Sequence, residues 1–281
     1  MEAARLTPAE KEIRLAKLYD AEILPAYATR FAALLTRAIE VRPGARVVEI
    51  GCATGAFTQE LARRFDHHSR LTAFDASPAF IAEARARIDA EAAPAAQVAL
   101  AAHPEVPASI PLADRSADLV VSNLTVATAA DPRAAVKEAA RLLVPGGQLA
   151  LSAPLRGTWA EFLDLFRDVL RENGRLESLA AVDRHVAALP DGEILARWLK
   201  EAGLKQIEVT AARWEILFRS AREFFFAPLI ELGPLPQWKR LSGQGDQMQD
   251  VFFFTKEAID TYFKDRVFAV TISGAAATGR K

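Results

Sequence analysis

The spacing of apolar and polar positions changes several times along the chain, and each change marks an element. Leu15 and Leu18, then Phe31, Leu34, Leu35 and Ile39, recur at helical spacing, so residues 1–41 read as helical throughout. Thr7-Pro8-Ala9-Glu10 supplies a start: Thr as N-cap, Pro at N1 and Glu at N3, as in a capping box. Pro43-Gly44 ends this segment. Val47, Val48 and Ile50 form the short apolar run of a buried parallel strand. Gly51 to Gly55 then reads as a tight turn, and Phe57, Leu61 and Phe65 recur every fourth residue on one helix face.

The same alternation repeats. Leu71–Asp75 is a second strand, followed by a helix capped by Ser77 before Pro78 and running through Ile81, Ala84 and Ile88 to about Ala92. Ala96–Leu100 is a third strand and Ala117–Asn123 a fourth. Asp131-Pro132 opens a helix carrying Val136, Ala139, Ala140, Leu142 and Leu143 inward, and Pro145-Gly146-Gly147 stops it before a fifth strand, Gln148–Ser152. Strands alternating with helices predict an α/β fold: a Rossmann-like, doubly wound, mostly parallel sheet with right-handed crossovers.

After residue 152 the simple repeat is lost. Helices are expected over 158–171, 176–189 and from 191 to a C′ glycine at Gly203. A long strand follows over 206–218, then helices and a Gly/Pro-rich loop through residue 264. A last strand begins at Val267, with the tail extending it. If the two final strands pair, the sheet has seven strands with a helical insertion before the last. The expected organisation is one domain, 1–281: a helical N-terminal cap (1–41), a cofactor-binding core (45–152) and substrate-side helices with the C-terminal strands (153–281).

Composition narrows the classes. Half of the 281 residues are apolar, a quarter are charged, and the net charge is -1, as in an ordinary globular protein without the basic excess of a nucleic-acid binder. Cys52 is the single cysteine, which precludes an internal disulfide and fits a cytoplasmic setting. The opening MEAARLTPAEKEIR has no hydrophobic signal core, and no run of about 18 apolar residues suggests a membrane span. His67-His68 falls in a helix-to-strand loop, opposite the crevice of an open parallel sheet, so no metal is expected. A monomer or homodimer is expected.

The strand–turn–helix at residues 46–57 places backbone N–H groups and a helix N-terminus beside a ligand, and two cofactor classes compete for it. The dinucleotide fingerprint G-x-G-x-x-G/A would run Gly51-Cys52-Ala53-Thr54-Gly55-Ala56, with Ala53 where the second glycine must let the backbone meet a pyrophosphate. A Tyr-x-x-x-Lys hydride site is also missing. Asp75, twenty residues after Gly55, is placed to accept ribose hydroxyls.

Residues 45–152 resemble the core of class I S-adenosylmethionine-dependent methyltransferases of the small-molecule type. The family's [D/E]-x-G-x-G-x-G motif matches Glu49, Gly51, Ala53 and Gly55, with Ala53 the departure. PLADRSADLVVSNLTV and LLVPGGQLALSAP resemble its fourth motif and its fifth-strand signature. The resemblance implies S-adenosylmethionine as cofactor and S-adenosylhomocysteine as product. It gives Glu49 a place near the amino group, Asp75 the ribose hydroxyls, and Ala76 and Ser77 a place beside the adenine. Asn123 and Leu124 would line the methionine end. Thr54 and, from the cap, Tyr19 complete the expected set, with Glu105 the candidate for the adenine amine. The order of elements after the fifth strand also resembles malonyl-carrier-protein O-methyltransferases of biotin synthesis.

Methyl transfer is an in-line displacement, and a protein contributes alignment, a dry site and, for some acceptors, a base. Candidate bases are His185, Tyr27 and His103. Trp159, Phe162, Trp214, Phe218, Phe224, Phe225, Phe226, Trp238, Phe252, Phe253 and Phe254 crowd the later half. Most such residues belong in a core, yet their density favours an apolar or aromatic small-molecule acceptor, methylated on O, N or C. Arg156, Arg184, Arg213 and Arg219 are candidate anchors for a carboxylate or phosphate. The alternatives are an NAD(P)-linked oxidoreductase and a non-catalytic S-adenosylmethionine-binding protein.

Overall fold

The computed structural model describes residues 7–91, 96–264 and 266–281, so the expected helix before Thr7 lies outside the described residues. The chain begins with α1 (Pro8–Leu18), a π-helical stretch (Tyr19–Ala28) and α2 (Thr29–Ala38). The core continues with β1 (Arg46–Ile50), α3 (Ala56–Arg64), β2 (Arg70–Asp75), α4 (Pro78–Asp89), β3 (Gln97–Ala102), β4 (Ala117–Asn123), α5 (Pro132–Leu142) and β5 (Leu143–Pro154). There follow α6 (Ala160–Glu172), α7 (Leu176–Ala188), α8 (Gly192–Glu201) and β6 (Lys205–Phe218). The chain ends with α9 (Ala221–Phe226), α10 (Pro228–Glu231), α11 (Leu235–Leu241), α12 (Asp246–Tyr262) and β7 (Phe268–Arg280). α4 stops at Asp89, short of its expected end at Ala92, a residue outside the described ones.

The seven strands form one sheet in the order β3-β2-β1-β4-β5-β7-β6. β1 pairs in parallel with both β2 and β4, and the β2–β3 and β4–β5 pairs are parallel as well. β7 runs against β5: Gly146 N–H meets Lys281 O at 3.0 Å at one end, and Leu155 N–H meets Ser273 O at 2.7 Å at the other. β7 and β6 are neighbours, as expected. The order of connection reverses between β1 and β4, and in open α/β sheets that reversal opens a ligand crevice at the carboxyl ends of the strands.

Local chemistry explains where the elements differ from the sequence pattern. The N-terminal helical run is not uniform because Pro25 has no N–H to donate. The winding widens there, and both the N–H and the hydroxyl of Thr29 reach back five residues to Leu24 O. Pro145-Gly146-Gly147 does not precede β5 but sits inside it as a bulge. Ala117 pairs with Leu143 and Leu119 with Gln148, so the extra residues loop out and Gly146 takes a φ of +80°. The Thr7 capping box forms as expected, with Glu10 N–H donating to Thr7 Oγ1 (3.2 Å) and Thr7 N–H to Glu10 Oε2 (2.8 Å).

Packing divides the chain into two compact units. The first comprises residues 1–153, 192–210 and 275–281. Its core joins Leu35 of α2 and Ile39 just after it, Phe57 and Leu61 of α3 and Phe65 just after it, to Val47, Leu71 and Val121 of the sheet. The second comprises residues 154–191 and 211–274, and it is built on aromatic rings. Phe162 stacks on Trp238 at 4.0 Å, and Phe224 packs edge-on against Phe218 and Phe268 at 5.1 and 5.2 Å. Phe162, Phe166, Phe224, Trp238 and Phe268 are all fully buried, so much of the aromatic density of the sequence is this unit's own core. Among the described residues no helix is long and apolar enough to cross a membrane.

α5 illustrates how a local signal fixes an element. Asp131 accepts a hydrogen bond from Ala134 N–H at 3.0 Å, and Pro132 fills the first helical position. Asp131→Ala removes this cap and should lower stability by about 1 kcal/mol in urea denaturation at neutral pH. An unchanged midpoint and slope would show that the cap contributes nothing.

Candidate functional site

The turn after β1 is possible only with glycine at two points. Gly51 has φ +81°, and a Cβ there would lie 1.9 Å from Thr125 Oγ1. Gly55 has φ +78°, and its Cβ would lie 2.8 Å from that of Ala84. Successive N–H groups of the turn are tied to the end of β2. Those of Gly51 and Cys52 donate to Phe74 O at 2.8 and 2.9 Å, and that of Ala53 donates to Asp75 Oδ2 at 2.9 Å. Ala53 adopts φ +47°, a left-handed conformation that costs an alanine about 1–2 kcal/mol. The bond to Asp75 holds it there.

Asp75 is thus a structural link as well as a candidate ligand group. Its Oδ1 accepts from Ser77 N–H at 3.0 Å, forming the turn that leads into α4. The expected role of the Ser77 hydroxyl as helix cap is not seen. That hydroxyl donates instead to Glu12 Oε2 at 3.2 Å, because Asp75 already serves the N–H groups at the start of the turn. A carboxylate has roughly four lone-pair directions, so two backbone donors leave capacity for two hydroxyls. Burial raises the Asp75 pKa above the ordinary carboxylate range, while the N–H groups of Ser77, Ala53 and Ala76 pull it back.

Glu49, on β1, is completely buried. Its Oε2 accepts from the Thr58 hydroxyl at 2.6 Å, and Oε1 has no hydrogen-bond partner. Burial pushes its pKa up to about 7; the Thr58 bond opposes the rise and the charge of Asp75 adds to it. Cys52 is also buried, and burial, with Glu49 and Asp75 nearby, holds its thiol protonated well above the ordinary thiol pKa.

The helical N-terminus reaches this turn. Thr54 Oγ1 donates to Asp20 Oδ1 at 2.7 Å, and Arg87 of α4 pairs with the same carboxylate while its Nε donates to Thr54 O at 2.9 Å. Tyr19 packs its ring 5.4 Å from that of Phe80. Its phenol is held neutral, first by burial and then by the charges of Asp75, Asp20 and Glu49. Tyr27 packs against Phe31 at 4.9 Å, and burial raises its phenol pKa too. At the end of β4, Asn123 Nδ2 donates to Ala28 O at 3.1 Å and its Oδ1 accepts from Ser152 at 2.7 Å. Leu124 turns with φ +73°, its N–H held by Ser152 Oγ at 2.9 Å.

The candidates from the sequence therefore fall into three groups. Glu49, Gly51, Ala53, Thr54, Gly55, Asp75, Ala76 and Ser77 lie at the carboxyl ends of β1 and β2, tied together by the bonds above. Asn123 and Leu124 lie at the carboxyl end of β4, the other neighbour of β1, and Tyr19 and Tyr27 come from the π-helical stretch. Glu105 is exposed in the turn after β3, whereas His103 starts that turn, with its N–H on Asp75 O at 2.8 Å and a buried Nδ1 that no donor or acceptor meets. His185 lies on α7 in the second unit, half-buried, with its pKa lowered by burial. Sequence reasoning missed Thr58, Thr125, Arg87 and the link through Asp20. Only Thr58 carried a local signal, lying on the inward stripe of α3 beside Phe57 and Leu61.

Comparison with known proteins shows what this region is similar to. Residues 48–151 match the family model described as a methyltransferase domain. The chain is 39% identical over 115 residues to a malonyl-[acyl-carrier protein] O-methyltransferase of Hahella chejuensis, covering 41% of this chain and 38% of that protein. It is 31% identical over 179 residues to the same-named protein of Dechloromonas aromatica, covering 57% and 63%. The chain thus spans less than two thirds of the length of either relative. Its fold matches the structure of phosphoethanolamine N-methyltransferase 2 of Haemonchus contortus in complex with S-adenosyl-L-methionine. That likeness has a TM-score of 0.51 and 19% identity, over 90% of this chain and 52% of the other.

The raised pKa of Glu49 sets a pH dependence. A group whose folded pKa lies above its ordinary value stabilises the fold fully below the ordinary value and loses that contribution as pH rises through the folded one. Between its ordinary 4.5 and about 7, Glu49 should make the protein progressively less stable. Urea denaturation across this window should show Glu49→Gln with a flatter pH profile than the parent protein. Parallel profiles would mean that Glu49 titrates normally.

Proposed function

From the match of residues 48–151 to a methyltransferase domain, we propose that this chain belongs with the class I S-adenosylmethionine-dependent methyltransferases and transfers a methyl group from S-adenosylmethionine to a small-molecule acceptor. The observation that carries the reading is the pair of carboxylates beside the glycine turn. Glu49 keeps a buried oxygen that no protein donor meets, and Asp75 keeps free lone pairs after fixing the turn. A buried acceptor without a donor costs about 1–3 kcal/mol unless a ligand supplies one. An amino-acid ammonium and a ribose diol are suitable donors.

In this reading Asp75 accepts both ribose hydroxyls, and Ala76 and Ser77 border the adenine. Glu49 holds the negative charge that faces the ammonium, with Thr58 fixing its other oxygen. Ala53, Thr54 and the two glycines carry the chain beneath the amino-acid part. Asn123 and Leu124 border the methionine end, with Ser152 fixing the Asn123 side chain and the Leu124 N–H. Tyr19, which stays neutral, adds an apolar wall with a polar tip. S-adenosylmethionine supplies an electrophilic methyl on its sulfonium, and this chain's residues align it and exclude water. Ala53 counts against a dinucleotide, because its methyl occupies the point where a pyrophosphate needs bare backbone.

For the acceptor, an apolar or aromatic molecule methylated on O, N or C remains the proposal. The similarity to malonyl-[acyl-carrier protein] O-methyltransferases favours a second reading, a carboxylate oxygen, which needs no base. Burial lowers the His185 pKa and so favours its neutral form, which suits a base where one is required. Tyr27 is held protonated and suits a hydrogen-bond donor.

Isothermal titration with S-adenosylmethionine and S-adenosylhomocysteine tests the proposal, and binding of neither would overturn it. Asp75→Ala should weaken both ligands by at least about tenfold, since two charge-assisted hydrogen bonds are lost. A variant that binds as well as the parent would refute the ribose role. Labelled-methyl transfer into a metabolite extract, read by mass spectrometry, then identifies the acceptor.

A second outcome follows from Glu49. An ammonium partner lowers the pKa of a buried carboxyl. At about pH 6 the free protein holds Glu49 largely protonated, so binding should release a proton. Titration in buffers of different ionisation enthalpy should show that release in the parent protein and not in Glu49→Gln. Equal proton counts in the two would remove Glu49 from the site.

A further inference from the structure

The second unit holds a cavity of about 210 Å³ that the methyl-transfer reading does not use. Ile259, Phe263 and Phe268 form its apolar wall, with Phe263 and Phe268 in ring contact at 4.9 Å. Arg219, Lys264 and Arg266 line it with three cations. All three side chains are exposed, and among the described residues none of them forms an ion pair.

The nearby acids are already engaged. Asp260 is the acid that lines the cavity. Its Oδ2 is held by Lys256 Nζ at 2.9 Å and its Oδ1 by Ala221 N–H at 3.0 Å, and Lys256 holds its carboxyl below the ordinary range. Glu223 turns its Oε2 to the backbone N–H of Arg219, not to the guanidinium. Three cations thus line a concave, partly apolar wall, and among the described residues no carboxylate pairs with any of them. Such a wall repels nothing but other cations, and its low-dielectric side concentrates the field on an incoming anion. Guanidinium groups add a planar fork that matches a carboxylate or phosphate head.

We propose that this cavity binds a small amphipathic anion: a carboxylate or phosphate head between Arg219, Lys264 and Arg266, with a short apolar stem on Ile259, Phe263 and Phe268. The volume is below the roughly 300–1,000 Å³ of sites for drug-sized ligands, so the occupant is a head group and stem rather than a second cofactor. The site lies wholly within the second unit, and the inference does not rest on the methyltransferase reading.

Ligand-observed NMR titration of the full chain, without cofactor, tests it. The probes are hexanoate and hexyl phosphate, with hexanamide and inorganic phosphate as partners lacking the charge or the stem. Hexanoate or hexyl phosphate should bind, the tighter of the two naming the head group. Binding should weaken with added salt, because the cations are exposed. The triple variant Arg219→Gln, Lys264→Gln, Arg266→Gln should weaken it by about tenfold or more, with thermal midpoint unchanged. Failure of both anions to bind would overturn the proposal. So would hexanamide binding as well as hexanoate, or inorganic phosphate as well as hexyl phosphate. Undiminished affinity in the triple variant would remove the three cations from the site.

Discussion

Everything at the carboxyl end of the sheet depends on one clamp. Three consecutive N–H groups, on Gly51, Cys52 and Ala53, are bonded to Phe74 O and Asp75 Oδ2. The clamp requires Ile50 to stand opposite Phe74, as the parallel register of β1 and β2 places it. A slip by one residue would send Glu49 and Asp75 to the wrong faces of their strands. The apolar faces that lock this register, Val47 and Leu71 among them, lie in the core with α2 and α3. Packing far from the site therefore sets the geometry of the turn, and the absence of side chains at Gly51 and Gly55 lets Thr125 and Ala84 close around it.

The same clamp concentrates negative charge. The charge of Asp75 adds to the cost of ionising Glu49, Tyr19 and Cys52 are kept neutral beside them, and Arg87 is paired with Asp20. Glu49 bears the larger cost, because it is fully buried and one of its oxygens loses hydration that the fold does not replace, whereas Asp75 is half-buried and accepts from two backbone N–H groups.

Much of this was legible in the sequence, and the reasons are specific. The parallel strands announced themselves because Val47, Val48 and Ile50, or Leu119 to Val121, are apolar on both faces, and the glycine turn and Asp75 lie close in sequence. What was not legible came from competition or distance. Pro145-Gly146-Gly147 reads as a stop, yet pairing with β4 absorbs it as a bulge. Ser77 reads as a cap, yet Asp75 two residues earlier outcompetes its hydroxyl. The Asp20–Thr54 bond joins residues 34 positions apart, and no local pattern encodes it. The aromatic residues after residue 152 could have lined a pocket or filled a core, and only their mutual contacts identify those that are core.

The lone cysteine, placed under the turn, gives the molecule an internal clock. Cys52 is shielded from solvent, and its thiol resists ionisation, so alkylating reagents have no thiolate to attack while the clamp is closed. Modification must wait for the turn to lift off the end of β2. Its rate measures how often that part of the sheet opens, and anything that fastens the turn will slow it.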